Sequence, residues 1–264
     1  MKTKRRMFGG DVLPSIISFF VLWEIVSWVN AAAEWMNPKF LPPPSGIVMR
    51  GVEMAQSGLI FESIGSSTLR IVVGFSIGAV AAVLFAIVIT RYAAVDKWVS
   101  PVLNMIGPIP PLALLPLFII WFGIGEMPKV LLIAWTTFIP VLTYATDGLR
   151  SVNVTMIRSA LSLGAGDRHL FLKVILPSAL PNIFVGLQVS LALAFSALVV
   201  SEMMGAKTGL GYLIVDARNF FKISDMFVAI VLIGIEYSVF SVLLKSIERR
   251  VTGWRKGGLQ DAVE

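Results

Sequence analysis

Few residues in this sequence are able to do chemistry. A single histidine, His169, and no cysteine occur among 264 residues, which excludes a two-histidine zinc site, a thiolate centre, a disulfide and a multi-histidine proton relay. Glu24, Asp147, Glu202 and Glu236 stand in or at the ends of long apolar stretches. An ionisable group in such a place is a candidate for ion or proton coupling, provided that several of them face one cavity. Asp147 and Glu202 fall near the ends of their stretches, where water is expected to be within reach, and Glu24 is expected to be protonated or bonded to a neighbouring helix. Gly205-Ala206-Lys207-Thr208 has the look of a phosphate loop, but no glycine directly precedes the lysine and the earlier glycine of that motif is missing. Nucleotide binding by this segment is therefore not expected, and His169 reads as a solvated loop residue.

Uncharged polar residues form a second set. Thr136, Thr137 and Tyr144 on one apolar stretch and Gln188, Ser190, Ser196 and Ser201 on the next are candidates to line a polar pathway. The alternative is that serine and threonine bond across helices or to their own backbone. Pro108, Pro110, Pro111 and Pro116 each remove a backbone donor from a third stretch. That pattern reads either as a kinked packing helix or as irregular backbone along a pathway, and Pro110 and Pro111 are taken as pathway candidates.

The composition requires lipid around these residues. Hydrophobic residues make up 56% of the chain and charged ones 14%, against about 25% charged in soluble domains. Six stretches, 12–29, 69–90, 102–122, 129–149, 182–203 and 226–247, are long enough to cross about 30 Å of hydrocarbon as helices. The fold class is all-α membrane protein with six transmembrane helices, and residues 1–264 are read as one domain. The net charge of +6 is a matter of topology, since basic aromatic strips of the nucleic-acid-binding kind are absent. With the N-terminus in the cytoplasm, fifteen of the 22 Lys and Arg fall on that side and every cytoplasmic segment is basic. Both termini are then cytoplasmic. Lys4, Arg5 and Arg6 before the first stretch and Ala31, Ala32 and Ala33 after it resemble a secretory signal, but the run is longer than a signal core and carries Glu24, so it is retained as a span.

The loop at about 150–181 is too long for a turn and too apolar for a solvated linker. Asn153 can cap a short helix on which Val154, Ile157 and Leu161 recur at helical spacing, with Arg158 on another face. Gly164 and Gly166 break it, Asp167 can cap a second helix with an apolar stripe of Leu170, Phe171, Val174 and Ile175, and Pro177 and Pro181 are expected to end that helix. Such a pair reads as an elbow on the bilayer surface or as a surface for another protein.

This loop resembles the EAA loop of ABC importer permeases: Arg158, Ser159 and Ala160 fall on its three leading positions, Gly164 on its glycine, and Ile175, Leu176 and Pro177 on its ending. The first two leading residues depart from the pattern, which leaves open any role of the usual acidic residue. FLPPPSGIV at 40–48, PIPPLALLPLFIIWFGIGE at 108–126 and SEMMGAKTGLGYLI at 201–214 resemble the branch of these permeases that serves taurine, alkanesulfonates, nitrate and related anions, and look closest to taurine and sulfonate permeases. The resemblance implies a type I importer permease with a core of five helices and one extra N-terminal helix, in the inner membrane of a bacterium. It implies a homodimer, two cytoplasmic ABC ATPases that bind ATP and Mg in place of this chain, and a periplasmic or lipid-anchored binding protein. No enzymatic activity is implied for the chain itself. Residues 153–163 become a coupling helix docked on the ATPase, with Asn153, Ile157, Arg158, Ser159, Ala160, Leu161, Gly164, Ala165, Asp167 and Pro177 as the coupling residues.

Other readings are an ion-coupled secondary transporter, which should show paired intramembrane charges or repeat symmetry, and a membrane enzyme, which should show a convergent polar constellation. The same permease role with nitrate, bicarbonate or an aromatic or pyrimidine substrate is a further alternative. Because every Lys and Arg can be assigned to a loop or to the end of a span, no fixed cation is expected in the membrane core, and the pathway is expected to be hydrated and weak-binding.

Overall fold

The computed structural model describes residues 12–253, which contain helices and no strand. The basic residues Lys2, Lys4, Arg5, Arg6, Arg255 and Lys256 lie outside the described residues. In chain order the helices are α1 (Val12–Ala33), α2 (Pro44–Gln56), α3 (Leu59–Arg91), α4 (Ala93–Ile106), α5 (Pro111–Phe122), α6 (Glu126–Arg150), α7 (Val154–Ser162), α8 (Asp167–Leu170), α9 (Leu176–Met203), α10 (Leu210–Asn219) and α11 (Ile223–Val251). Among the described residues, five helical runs are long and apolar enough to cross a membrane: Pro14–Ala33, Leu59–Arg91, Glu126–Arg150, Asp167–Met203 and Ile223–Val251.

The third predicted stretch differs. It is divided between α4 and α5 by a turn at Gly107, Pro108, Ile109 and Pro110. Pro108 and Pro110 cannot donate, and Pro111 opens the new helix at a position where no donor is needed. α5 has 12 residues, about 18 Å at 1.5 Å per residue, which is short of a full crossing.

α3, α6 and α9 form the centre. Gly74, Gly78, Ala82 and Ala86 recur every fourth residue on the buried face of α3, so small side chains let two backbones meet closely. A Cβ on Gly78 would lie 2.3 Å from the carbonyl oxygen of Ala134 on α6. On the other side of α6, a Cβ on Gly148 would stand 2.8 Å from Asn182 Cβ, and one on Gly186 would stand 2.8 Å from Tyr144 Cβ. Ile71, Leu132, Ile133 and Leu198 fill the space between these crossings. α1 is peripheral. Its Glu24 accepts from Ser45 N at 3.1 Å, Ser45 Oγ at 2.7 Å and Trp28 Nε1 at 2.9 Å, so the carboxylate fastens α1 to the first turn of α2.

α9 departs from expectation at its start. Pro177 and Pro181 do not end a helix: the run Asp167–Met203 is continuous, and a π-helical segment, Phe171–Ile175, joins α8 to α9. The Leu176 N–H reaches back to Phe171 O, so the ladder widens just before the residue that lacks a donor. A π turn absorbs the proline where an α turn would clash with it.

The bundle has two unlike ends. One carries α7, α8 and the last turns of α3, α6 and α11; the other carries α2, α10 and the first turns of α3, α6 and α11.

Candidate functional site

At the first end, α7 is built as a projecting element. The Asn153 side chain accepts from Thr155 N at 2.8 Å and supplies the N-cap. The helix ends in a left-handed turn: Gly164 has φ +82°, its N–H donates to Leu161 O at 2.9 Å, and the Ala165 N–H donates to Ala160 O at 3.0 Å. A Cβ on Gly164 would meet nothing within 4 Å. Space is therefore free, and the positive φ alone is what favours glycine there.

No residue of α7 is buried. Ile157 and Ala160 are half-buried, while Arg158, Ser159 and the apolar Val154, Met156, Leu161 and Leu163 are exposed, Leu163 at 88%. The second half of the loop is the anchor, with Phe171, Ile175 and Leu176 packed against the core cluster of Ala86, Leu149 and Ala179. Gly166, not Asp167, occupies the cap position of α8, and Asp167 pairs with Arg91 Nη2 at 3.3 Å. Arg150 pairs in the same rim with Asp96 at 2.7 Å. The Ser100 hydroxyl, and then Arg150, hold the Asp96 carboxyl below its ordinary range. A cavity of about 540 Å³ lies between Ile87 and Arg91 of α3, Leu149 of α6, and Asp167, Phe171 and Ile175 of the loop.

The uncharged pathway candidates are not gathered into one cavity. Thr136, Thr137 and Ser190 are buried in helix packing, and their hydroxyls donate to Leu132 O, Ile133 O and Leu187 O of their own helices. Ser196 is exposed and donates to Ala192 O, and Gln188 donates to Glu248 of α11. Pro110 is exposed and Pro111 half-buried at the break before α5. Asp147 is exposed, as its place near a span end led one to expect.

The opposite end holds a charge cluster that sequence reasoning missed. Arg70, expected at the outer edge of a span, sits well inside the 33-residue α3 with its side chain 5% exposed. Its Nη1 donates to Glu202 Oε1 at 2.7 Å and to Thr208 O at 2.8 Å; its Nε and Nη2 donate to the two Glu126 oxygens at 2.5 and 2.9 Å. Lys129 Nζ donates to Glu126 Oε1 at 3.0 Å and is itself buried. Glu202, expected to reach water, is 1% exposed. Its remaining capacity is filled by Ser67 Oγ at 2.8 Å and the Gly211 N–H at 2.8 Å, while the Leu210 N–H donates to Ser67 Oγ at 2.9 Å. The cluster ties the first turn of α10 to α3 and α9. Glu236 is buried on α11 and accepts from Thr68 Oγ1 at 2.8 Å. One expectation is corrected here: Arg70 is a fixed cation buried inside the bundle, and it is paired with carboxylates. The signal available in sequence was the acidic and basic residue near each span end; its pairing was not.

Comparison with known proteins decides the class to which this arrangement belongs. Residues 74–253 match the family described as binding-protein-dependent transport system inner membrane component. SsuC of Bacillus subtilis (strain 168), named for aliphatic sulfonates transport, is 33% identical over 96% of this chain and 91% of its own. The taurine transport system permease protein TauC of Escherichia coli (strain K12) is 35% identical over 87% of this chain and 85% of its own. In structure the chain is similar to the MetNI methionine ABC transporter in its inward-facing conformations, with a TM-score of 0.64 and 20% identity over 74% of this chain and 96% of that one. The chain therefore belongs to the binding-protein-dependent transport system inner membrane components, the permease subunits of ABC importers.

Proposed function

We propose that this chain is the membrane-spanning half of an importer for taurine or an alkanesulfonate, working as a homodimer with two ABC ATPases and a periplasmic or lipid-anchored binding protein in the bacterial inner membrane. The observation that carries the coupling assignment is α7, whose apolar Val154, Met156, Leu161 and Leu163 are exposed in the isolated chain. A nine-residue helix with no buried side chain does not hold its shape by its own packing, and a groove on an ATPase supplies the missing burial. Identity to sulfonate and taurine permeases over most of the chain supports the substrate class.

Orientation follows from charge. Arg91, Lys97, Arg150, Arg158, Arg168, Lys173, Lys245, Arg249 and Arg250 belong to the α7 end of the bundle, and that end is placed in the cytoplasm with both termini. ATP and Mg are then bound by the partner ATPase, and its closure moves α7 and, through the anchored segment after Gly164, the helices above it. The connecting unit is α8 to α9, a run of 37 residues from Asp167 to Met203 that leads from the docking element to the charge cluster at the other end.

The test is reconstitution of the permease and its ATPase in lipid vesicles. Loaded binding protein should stimulate ATP hydrolysis and uptake of taurine or ethanesulfonate together. Cysteines placed singly along 153–163, in a chain without natural cysteine, should crosslink to the ATPase. If no position crosslinks, α7 is a bilayer-surface elbow and the coupling assignment fails.

A further inference from the structure

The charge cluster at the end opposite α7 contains two carboxylates held in different ways. Glu202 is enclosed, its side chain 0% exposed. It takes Arg70, Ser67 and the Gly211 N–H, and a Cβ on Gly209 would stand 2.5 Å from its carboxyl carbon. It has nowhere to move. Glu126, the first residue of α6, has a side chain 62% exposed, held by the two buried cations it faces. Oε2 rests on Arg70 Nε at 2.5 Å, and Oε1 on Arg70 Nη2 at 2.9 Å and Lys129 Nζ at 3.0 Å.

Two cations and two carboxylates balance. Without Glu126, two buried cations would face one carboxylate. The residual positive charge presents a guanidinium fork beside an ammonium, which is the donor set that recognises a small oxyanion.

We propose that Arg70 and Lys129 form an oxyanion subsite at the outer mouth of the bundle, that the Glu126 carboxylate occupies it as a tethered stand-in, and that an incoming sulfonate displaces it. The proposal rests on the importer reading and its orientation, and deepens them by giving the transported sulfonate a first seat. A sulfonate carries the same single negative charge as the carboxylate it replaces and one more oxygen. Two oxygens sit on the Arg70 fork and the third on Lys129. The displaced Glu126 turns into water, to which most of its surface is already open, so the exchange leaves no uncompensated charge buried. Competition from a carboxylate at a high effective concentration keeps the seat weak. A seat of that kind accepts an anion released at close range by a binding protein and does not collect it from dilute solution.

The experiment uses the full-length permease in nanodiscs, both in complex with its ATPase and alone, without binding protein, with radiolabelled methanesulfonate as the probe. Glu126→Ala should bind it at least about tenfold tighter than wild type, the advantage lost with a tethered competitor. Glu126→Gln, which keeps the shape of the side chain and removes its charge, should show a smaller gain. Adding Lys129→Met to Glu126→Ala should return binding to the wild-type level. Unchanged binding in both folded Glu126 variants overturns the proposal, and so does a gain that survives Lys129→Met. Failure of the ATPase to copurify would count against the importer reading instead, because methanesulfonate binding is measured on the permease with or without it.

Discussion

The two ends of the bundle use opposite physics. At the α7 end, charges are paired loosely and in the open: Arg91 and Asp167 are 65% and 83% exposed, and apolar side chains face outward. At the other end, Arg70, Lys129 and Glu202 are withdrawn from water; Arg70 and Glu202 are saturated with partners, and Lys129 is paired with Glu126. A buried charge pair is costly to disrupt, because either partner alone is left unpaired and unhydrated. An exposed pair contributes little. The first end is therefore suited to docking and release, and the second to holding one arrangement until a chemically matched ion exchanges with part of it.

The sharpest way to break this contrast is at Glu202. Glu202→Ala leaves Arg70 short of a buried counter-charge and should destabilise the permease by about 3–5 kcal/mol, seen as a marked fall in the unfolding temperature in detergent. Glu202→Leu with Arg70→Met should recover much of the loss. If the single variant melts like wild type, the cluster does not hold α10 and α9 together.

A smaller effect on stability with a large one on function is expected at Gly164. A branched side chain at φ +82° costs about 1–2 kcal/mol in the left-handed region, which is enough to re-aim α7 but not to unfold the bundle. Gly164→Leu should insert normally and lose most uptake and ATPase copurification. Because the surroundings are open and asparagine tolerates this conformation, Gly164→Asn should retain more of both. Equal loss in the two variants would show that space, not φ, governs the position.

The smallest effect belongs to Asp167→Asn. Its partner Arg91 is exposed, so the unfolding temperature should stay at the wild-type value in ordinary salt. A large loss of uptake would mean that this rim pair is part of the switch, and that the two ends are less different than their burial indicates.

Much of the fold was legible before any coordinates. Long apolar runs, the basic character of alternate loops and the Asn153 to Gly164 punctuation are local properties, and α1, α3, α6, α9, α11 and α7 follow from them. The division of the third stretch was half visible: four prolines marked irregular backbone, but whether they kink one helix or separate two depends on what packs beside them. α2 and α10 were missed because 13 and 10 residues of mixed polarity look like loop until a bundle end gives them a surface. The expected stop at Pro177 and Pro181 gave way to a π turn because the anchored residues on either side favour continuity of the helix.

Hydropathy and helical period, both set over a few neighbouring residues, determined that this chain spans a membrane, how many apolar runs it has and where a projecting helix begins and ends. Only the tertiary structure decided which charges meet. Arg70 and Glu202 are 132 residues apart in sequence, and nothing local distinguishes a lysine or arginine that snorkels to the interface from one that turns inward to a carboxylate. That choice is made when α3, α6 and α9 pack through their glycines and bring Arg70 of α3 level with the start of α6 and the end of α9, where burying the charges together costs less than leaving any one of them alone.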